Sequence, residues 1–237
     1  MGGFFISSYK GHTLGAFLLS LLFFLNPVLI LLTVLGGSFS DFDHEFRRNR
    51  VLGLIVFSLC LSFIFYVFNL PFYIGLLGLV LGFIFLFSSH RGFTHSLLGG
   101  FILSFLIGAI LFFSSLFVSD VFSFLGFDFK YSFLLVLFIF SFFILNKRVF
   151  ALFFVFLIIS YFFIPWVDFS FICIFLALFL GFLSHIILDS FSVSGVRVFY
   201  PFYGGNFYKS FGFILILILV LFSIFRFLFL FNLDFYF

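Results

Sequence analysis

Leu97-Leu-Gly-Gly-Phe-Ile-Leu-Ser-Phe-Leu-Ile-Gly-Ala-Ile-Leu-Phe-Phe-Ser-Ser-Leu-Phe-Val118 carries no charge from end to end. It is as long as the roughly 20 apolar residues needed to cross a hydrocarbon core of about 30 Å. Similar runs recur throughout the 237 residues, whose mean hydropathy is +1.45, with 65% apolar and only 8% charged side chains. An ordinary soluble domain is excluded. Backbone groups in lipid must be bonded within their own segment, so the spans should be helices. The runs are continuously apolar and lack the alternation of a transmembrane barrel. The expected fold is all-α: a polytopic helical membrane protein of about seven transmembrane helices plus an N-terminal helical hairpin or eighth span. Residues 1–237 read as a single integral membrane domain without internal repeats.

Outward from that run, the expected spans are Val51–Leu70, Phe72–Phe87, Tyr131–Leu145, Val149–Ile164, Phe171–Leu188 and Phe211–Phe231. Leu14–Leu35 differs because Asn26-Pro27 interrupts it, and proline removes a helical hydrogen bond. It is either one kinked span or a hairpin entering and leaving on one side. The hairpin is favoured, since each half is too short to span alone. Gly36-Gly37-Ser38 ends the run.

The 55 phenylalanines read as lipid-facing filler, and a net charge of +3 is too small to suggest nucleic acid. Cys60 and Cys173 lie inside apolar runs without CxxC spacing, so neither a disulfide framework nor a thiolate metal site is expected. No small-residue cleavage site follows the first run, and no removable signal peptide is expected. Threading the spans puts Arg47, Arg48, Arg50, Arg91, Lys147, Arg148, Arg197 and Lys209 on one side, against Lys130 and Arg226 on the other. Short basic loops face the cytoplasm. That side also carries Asp41, Asp43, His44, His90, His95 and Asp189, and it gains Lys10 and His12 if the first run turns back.

All five histidines lie near the ends of apolar runs, with polar company. Ionisable residues at span edges are costly and usually mark a function. His185-Ile-Ile-Leu-Asp189 sets an imidazole and a carboxylate one helical turn apart on one face, able to grip one metal ion. Alternatively Asp189 orients His185, or the two share no task. Asp41-Phe-Asp43-His44 offers hard oxygen and imidazole ligands suited to zinc, manganese or magnesium, or is simply a solvated acidic loop. In His90-Arg-Gly-Phe-Thr-His95, Gly92 permits a turn that lets both imidazoles converge. Thr94 is placed to cap the helix from Leu97 or to hydrogen-bond a ligand histidine. Arg91 suits an anionic substrate oxygen, or anchors the chain at the interface. Nitrogen and oxygen donors on one membrane face, with no thiolate, fit a site of one or two metals activating water for attack on an ester.

Gly36-Gly-Ser-Phe-Ser-Asp-Phe-Asp-His44, His90-Arg-Gly-Phe-Thr-His-Ser-Leu97 and Gly181-Phe-Leu-Ser-His-Ile-Ile-Leu-Asp189 also resemble segments of a known family. That family is the membrane-bound metal-dependent hydrolases, the YdjM-like, LexA-binding inner-membrane-associated proteins. Ser194-Gly-Val196 through Tyr200-Pro-Phe202 is similar to the family's later glycine and Tyr/Trp-Pro segment, and His12 matches its early histidine. Ser40-Asp41 stands where the family usually has Pro-Asp. The resemblance implies a hydrolase with bound metal. The order of ligands is also similar, more loosely, to zinc-dependent bacterial phospholipases C, which favours a phosphoester or lipid substrate.

The expected protein is thus a multi-pass inner- or plasma-membrane hydrolase whose site faces the cytoplasm. His12, Asp41, Asp43, His90, His95, His185 and Asp189 are its candidate metal ligands or their supports. Asp43, Arg91 and Asp189 are the candidate catalytic groups, and His44 is a weaker candidate. The ion is a divalent metal, zinc first, manganese or magnesium otherwise. The rival is a membrane scaffold or partner-binding protein with a structural metal site. A transporter would need polar residues near mid-membrane, and few are present.

Overall fold

A computed structural model describes residues 9–39, 48–88, 92–163 and 170–233. Among them the chain is helical, with one isolated antiparallel bridge between Val196 and Phe207. The first apolar run folds back on itself. Helix α1 (Tyr9–Leu21) stops short of Asn26, and α2 begins at Pro27 and runs to Phe39. Asn26 caps α2 by accepting from the Val28 amide at 2.9 Å, and Pro27 takes the first helical position, where its missing N–H costs nothing. Gly37, near the end of α2, lies against Ala16 and the His12 carbonyl of α1, so the two helices are antiparallel.

Then follow α3 (Arg48–Val67), α4 (Tyr73–Phe87), a 3₁₀ turn (Phe93–His95), α5 (Leu97–Val121) and α6 (Phe129–Ile144). Helices α7 (Lys147–Phe163), α8 (Phe171–Ser190) and α9 (Lys209–Leu233) complete the described chain. By length and composition α3, α5, α8 and α9 are long and apolar enough to cross a membrane. Helices α2, α4 and α6 are apolar but shorter; at 1.5 Å per residue, a 15-residue helix is only about 22 Å long. Large apolar side chains cover the outside, such as Phe57 and Phe63 on α3 and Phe213 and Phe225 on α9, as a lipid surround requires.

The core forms where α2 and α5 meet α8, with α6 packed against α5 and α2. Leu32 and Leu35 of α2, Leu103 and Ile107 of α5, Leu137 of α6 and Leu178 of α8 are fully buried there. Lipid is as apolar as leucine, so close backbone approach, not escape from water, selects which faces meet. Glycine provides that approach between α2 and α8. A β-carbon on Gly36 would collide with the Leu178 carbonyl, and one on Gly181 with the Thr33 carbonyl and the Gly37 amide. Gly36-Gly37-Ser38 therefore does not end the run, as the sequence suggests. The three residues lie inside the last turns of α2, buried against α8.

Candidate metal centre

Three separate pieces of chain deliver one cluster. His12 stands in the first turns of α1, and the hairpin returns that end of the helix to the C-terminal end of α8. His185 and Asp189 lie one turn apart on α8. His95 closes the 3₁₀ turn before α5. The turn is pinned by Ser96, whose hydroxyl accepts from the Gly99 amide at 3.0 Å and donates to the Phe93 carbonyl at 2.8 Å. Thr94 is buried within the turn, and Ser96, the residue next to the helix with extended backbone, is the cap. Gly99 makes room for the Phe93 carbonyl, which a side chain there would strike.

Asp189 is 3% exposed, and His12, His95 and His185 are 2%, 1% and 0% exposed. Burying a carboxylate costs heavily unless it is hydrogen-bonded or paired. His95 Nδ1 lies 2.8 Å from Asp189 Oδ2, a hydrogen bond that crosses from the turn to α8. His185 Nε2 is 3.4 Å from the same oxygen, and His12 Nε2 is 3.5 Å from Oδ1. The His12 and His185 rings stack with centroids 3.9 Å apart.

The proton positions follow from the partners. His185 Nδ1 lies 2.8 Å from the Gly37 carbonyl oxygen, which can only accept, so Nδ1 carries the hydrogen. In the neutral ring Nε2 then presents its lone pair toward Asp189. Two electron-rich atoms facing each other at 3.4 Å call for a cation between them, a proton or a metal ion. A ring N–H bonded to a backbone carbonyl is also the usual support of a metal-ligating histidine. One ligand atom each from His12, His185 and Asp189 lies within 4.8 Å of the others. Two ligands on a tetrahedral ion with bonds of about 2.1 Å sit about 3.4 Å apart, close to the 3.4 and 3.5 Å that separate the Asp189 oxygens from His185 and His12, so the chemistry and spacing of these donors suit a zinc-like ion.

His95 joins the cluster differently, since its Nδ1 is engaged with the Asp189 carboxylate. Asp41, Asp43, His44, His90 and Arg91 lie outside the described residues. Sequence reasoning missed two contributors. One is the Gly37 carbonyl, which acts through its backbone; the Gly36-Gly37 pair opposite Gly181 was its only trace. The other is Ser192, whose hydroxyl donates to the Asp189 carbonyl at 2.7 Å and closes the end of α8.

No curated protein and no solved structure gives a significant match to the chain. The family described as YdjM inner membrane protein matches residues 8–146, from the start of α1 to the end of α6. His12, both glycines of α2 and the turn that carries His95 fall within the match, while His185 and Asp189 lie beyond it. The match covers more than half of the sequence, and the chain belongs to the YdjM inner membrane protein family.

Proposed function

We propose that this multi-pass inner-membrane protein is a metal-dependent hydrolase acting on an ester, of phosphoester or lipid-like type, at the cytoplasmic membrane face. The observation that carries the reading is the buried set of His12, His185 and Asp189, with His185 oriented by the Gly37 carbonyl. Two imidazole nitrogens and a carboxylate oxygen, without thiolate, suit zinc or manganese. Such an ion supplies Lewis acidity to an ester oxygen and makes water acidic enough to attack at neutral pH. The chain's own part is orientation. His95 steadies the Asp189 carboxylate, α2 fixes His185 through Gly37, and the hairpin holds His12 in place. Asp41, Asp43 and His90 remain candidate ligands, for the same ion or a second. Asp43 is a candidate base, and Arg91 a contact for the substrate's anionic oxygen.

In the topology that goes with this reading α1–α2 re-enters on the cytoplasmic side and about seven helices cross, the shorter ones within a locally thinned bilayer. The bias of eight basic side chains against two supports that orientation. The second reading is a scaffold, favoured by the His95–Asp189 bond, which ties turn to helix without any ion. Full-length protein in nanodiscs, loaded with zinc or manganese and offered phospholipid and phosphoester substrates, separates the two. The hydrolase reading expects turnover that Asp189→Asn abolishes while the protein stays folded. A folded, metal-loaded protein that turns over none of them contradicts the reading.

A further inference from the structure

Residues 191–208 link α8 to α9 as a loop fastened to both sides of the cluster. The Ser192 amide donates to the Asp189 carbonyl at 3.0 Å, and the Leu97 amide, two residues past His95, donates to the Val198 carbonyl at 2.9 Å. The Val196–Phe207 bridge closes the loop, with bonds of 3.0 and 2.8 Å. One side of it is core: Val196 and Val198 are 1% and 0% exposed and pack with Ile186. The other side is bare. Val193 is 101% exposed, Phe202 84%, Tyr203 59% and Phe199 44%. The aromatic rings continue through Phe207 to Phe211 on α9, where Phe213 and Ile214, beyond the buried Gly212, are exposed in the manner of a lipid-facing helix. Residues 190–209 include Arg197 and Lys209, both exposed, and no acidic side chain.

A bare aromatic surface whose own stretch of chain carries two cations and no acidic side chain is poorly suited to water and matches the headgroup layer of an anionic leaflet. We propose that this loop seats in that layer and that the substrate of the cluster is a lipid drawn from the same leaflet. The second part rests on the hydrolase reading; the first does not. The loop's backbone bonds to Asp189 and Leu97 would then set the cluster's depth relative to the lipid ester.

The test places Phe202→Trp in a Trp166→Phe background, which removes the chain's only tryptophan. The full-length protein is reconstituted in nanodiscs of phosphatidylglycerol and phosphatidylcholine brominated high in the acyl chain. Seating in the leaflet predicts that brominated lipid removes most of the emission and aqueous iodide very little. It also predicts that Arg197→Gln with Lys209→Gln weakens the lipid quenching. Emission quenched by iodide and untouched by brominated lipid overturns the proposal. For the substrate, Phe202→Asp and Tyr203→Asp should sharply slow hydrolysis of a bilayer phospholipid and spare a short-chain, water-soluble ester. Equal effects on both esters overturn lipid delivery. A wild-type protein that hydrolyses neither, with Phe202→Trp still quenched by lipid, defeats the hydrolase reading and leaves the docking intact.

Discussion

Helices α8 and α9 are close to each other in apolarity, yet they occupy opposite environments. Within the most apolar 18 residues of each, 56% of α8 is buried inside the protein against 6% of α9. What differs is the placement of small and polar residues. Helix α8 carries Ala177, Gly181 and Ser184 along its buried side and ends in His185 and Asp189. The membrane stretch of α9 holds Gly212 at its start and then mostly branched and aromatic side chains. In a bilayer apolarity decides that a helix is inserted, and small residues decide what it packs against. Helix α8 uses that freedom to bring its polar end against α2 and α1.

Substitutions that remove this difference should have the largest effect. Gly181→Ala puts a methyl into the Thr33 carbonyl and the Gly37 amide, and neither backbone can yield without separating α2 from α8. The expected cost is on the order of 3 kcal/mol or more, read from the denaturation midpoint of the detergent-purified protein. Leu178→Ala, fully buried on α8, should cost about 2–4 kcal/mol through the cavity it leaves. Arg226 sharpens the contrast from the other side. It is the one charged residue of α9 beyond Lys209, and its guanidinium donates to the Phe23 carbonyl at the hairpin bend, beside a 2.9 Å bond from Ser223 to the Leu22 carbonyl. Arg226→Leu leaves that helix-end carbonyl short of a donor and should cost about 1 kcal/mol. Leu217→Ala, 58% exposed on α9, should stay within about 0.5 kcal/mol of wild type.

The all-helical membrane fold was legible because continuous apolar runs leave few alternatives in lipid. The fold-back of the first run was legible in Asn26-Pro27, and the pairing of His185 with Asp189 in their spacing of four. Which helix is central was not, since α8 and α9 look alike to any measure of hydrophobicity. The support of His185 was hidden as well, because it is a main-chain carbonyl and leaves no side-chain signature. Ser96 rather than Thr94 caps α5 because only Ser96 stands next to the helix with extended backbone, a distinction of one residue.

The most direct measurement is the metal content of the detergent-purified protein by mass spectrometry, after purification without chelators and with zinc and manganese offered back. The account predicts stoichiometric metal in the wild type and its loss in His12→Ala, His185→Ala and Asp189→Ala, each still folded by circular dichroism. A wild-type protein without metal, or variants that keep it, would contradict a metal centre built from α1 and α8.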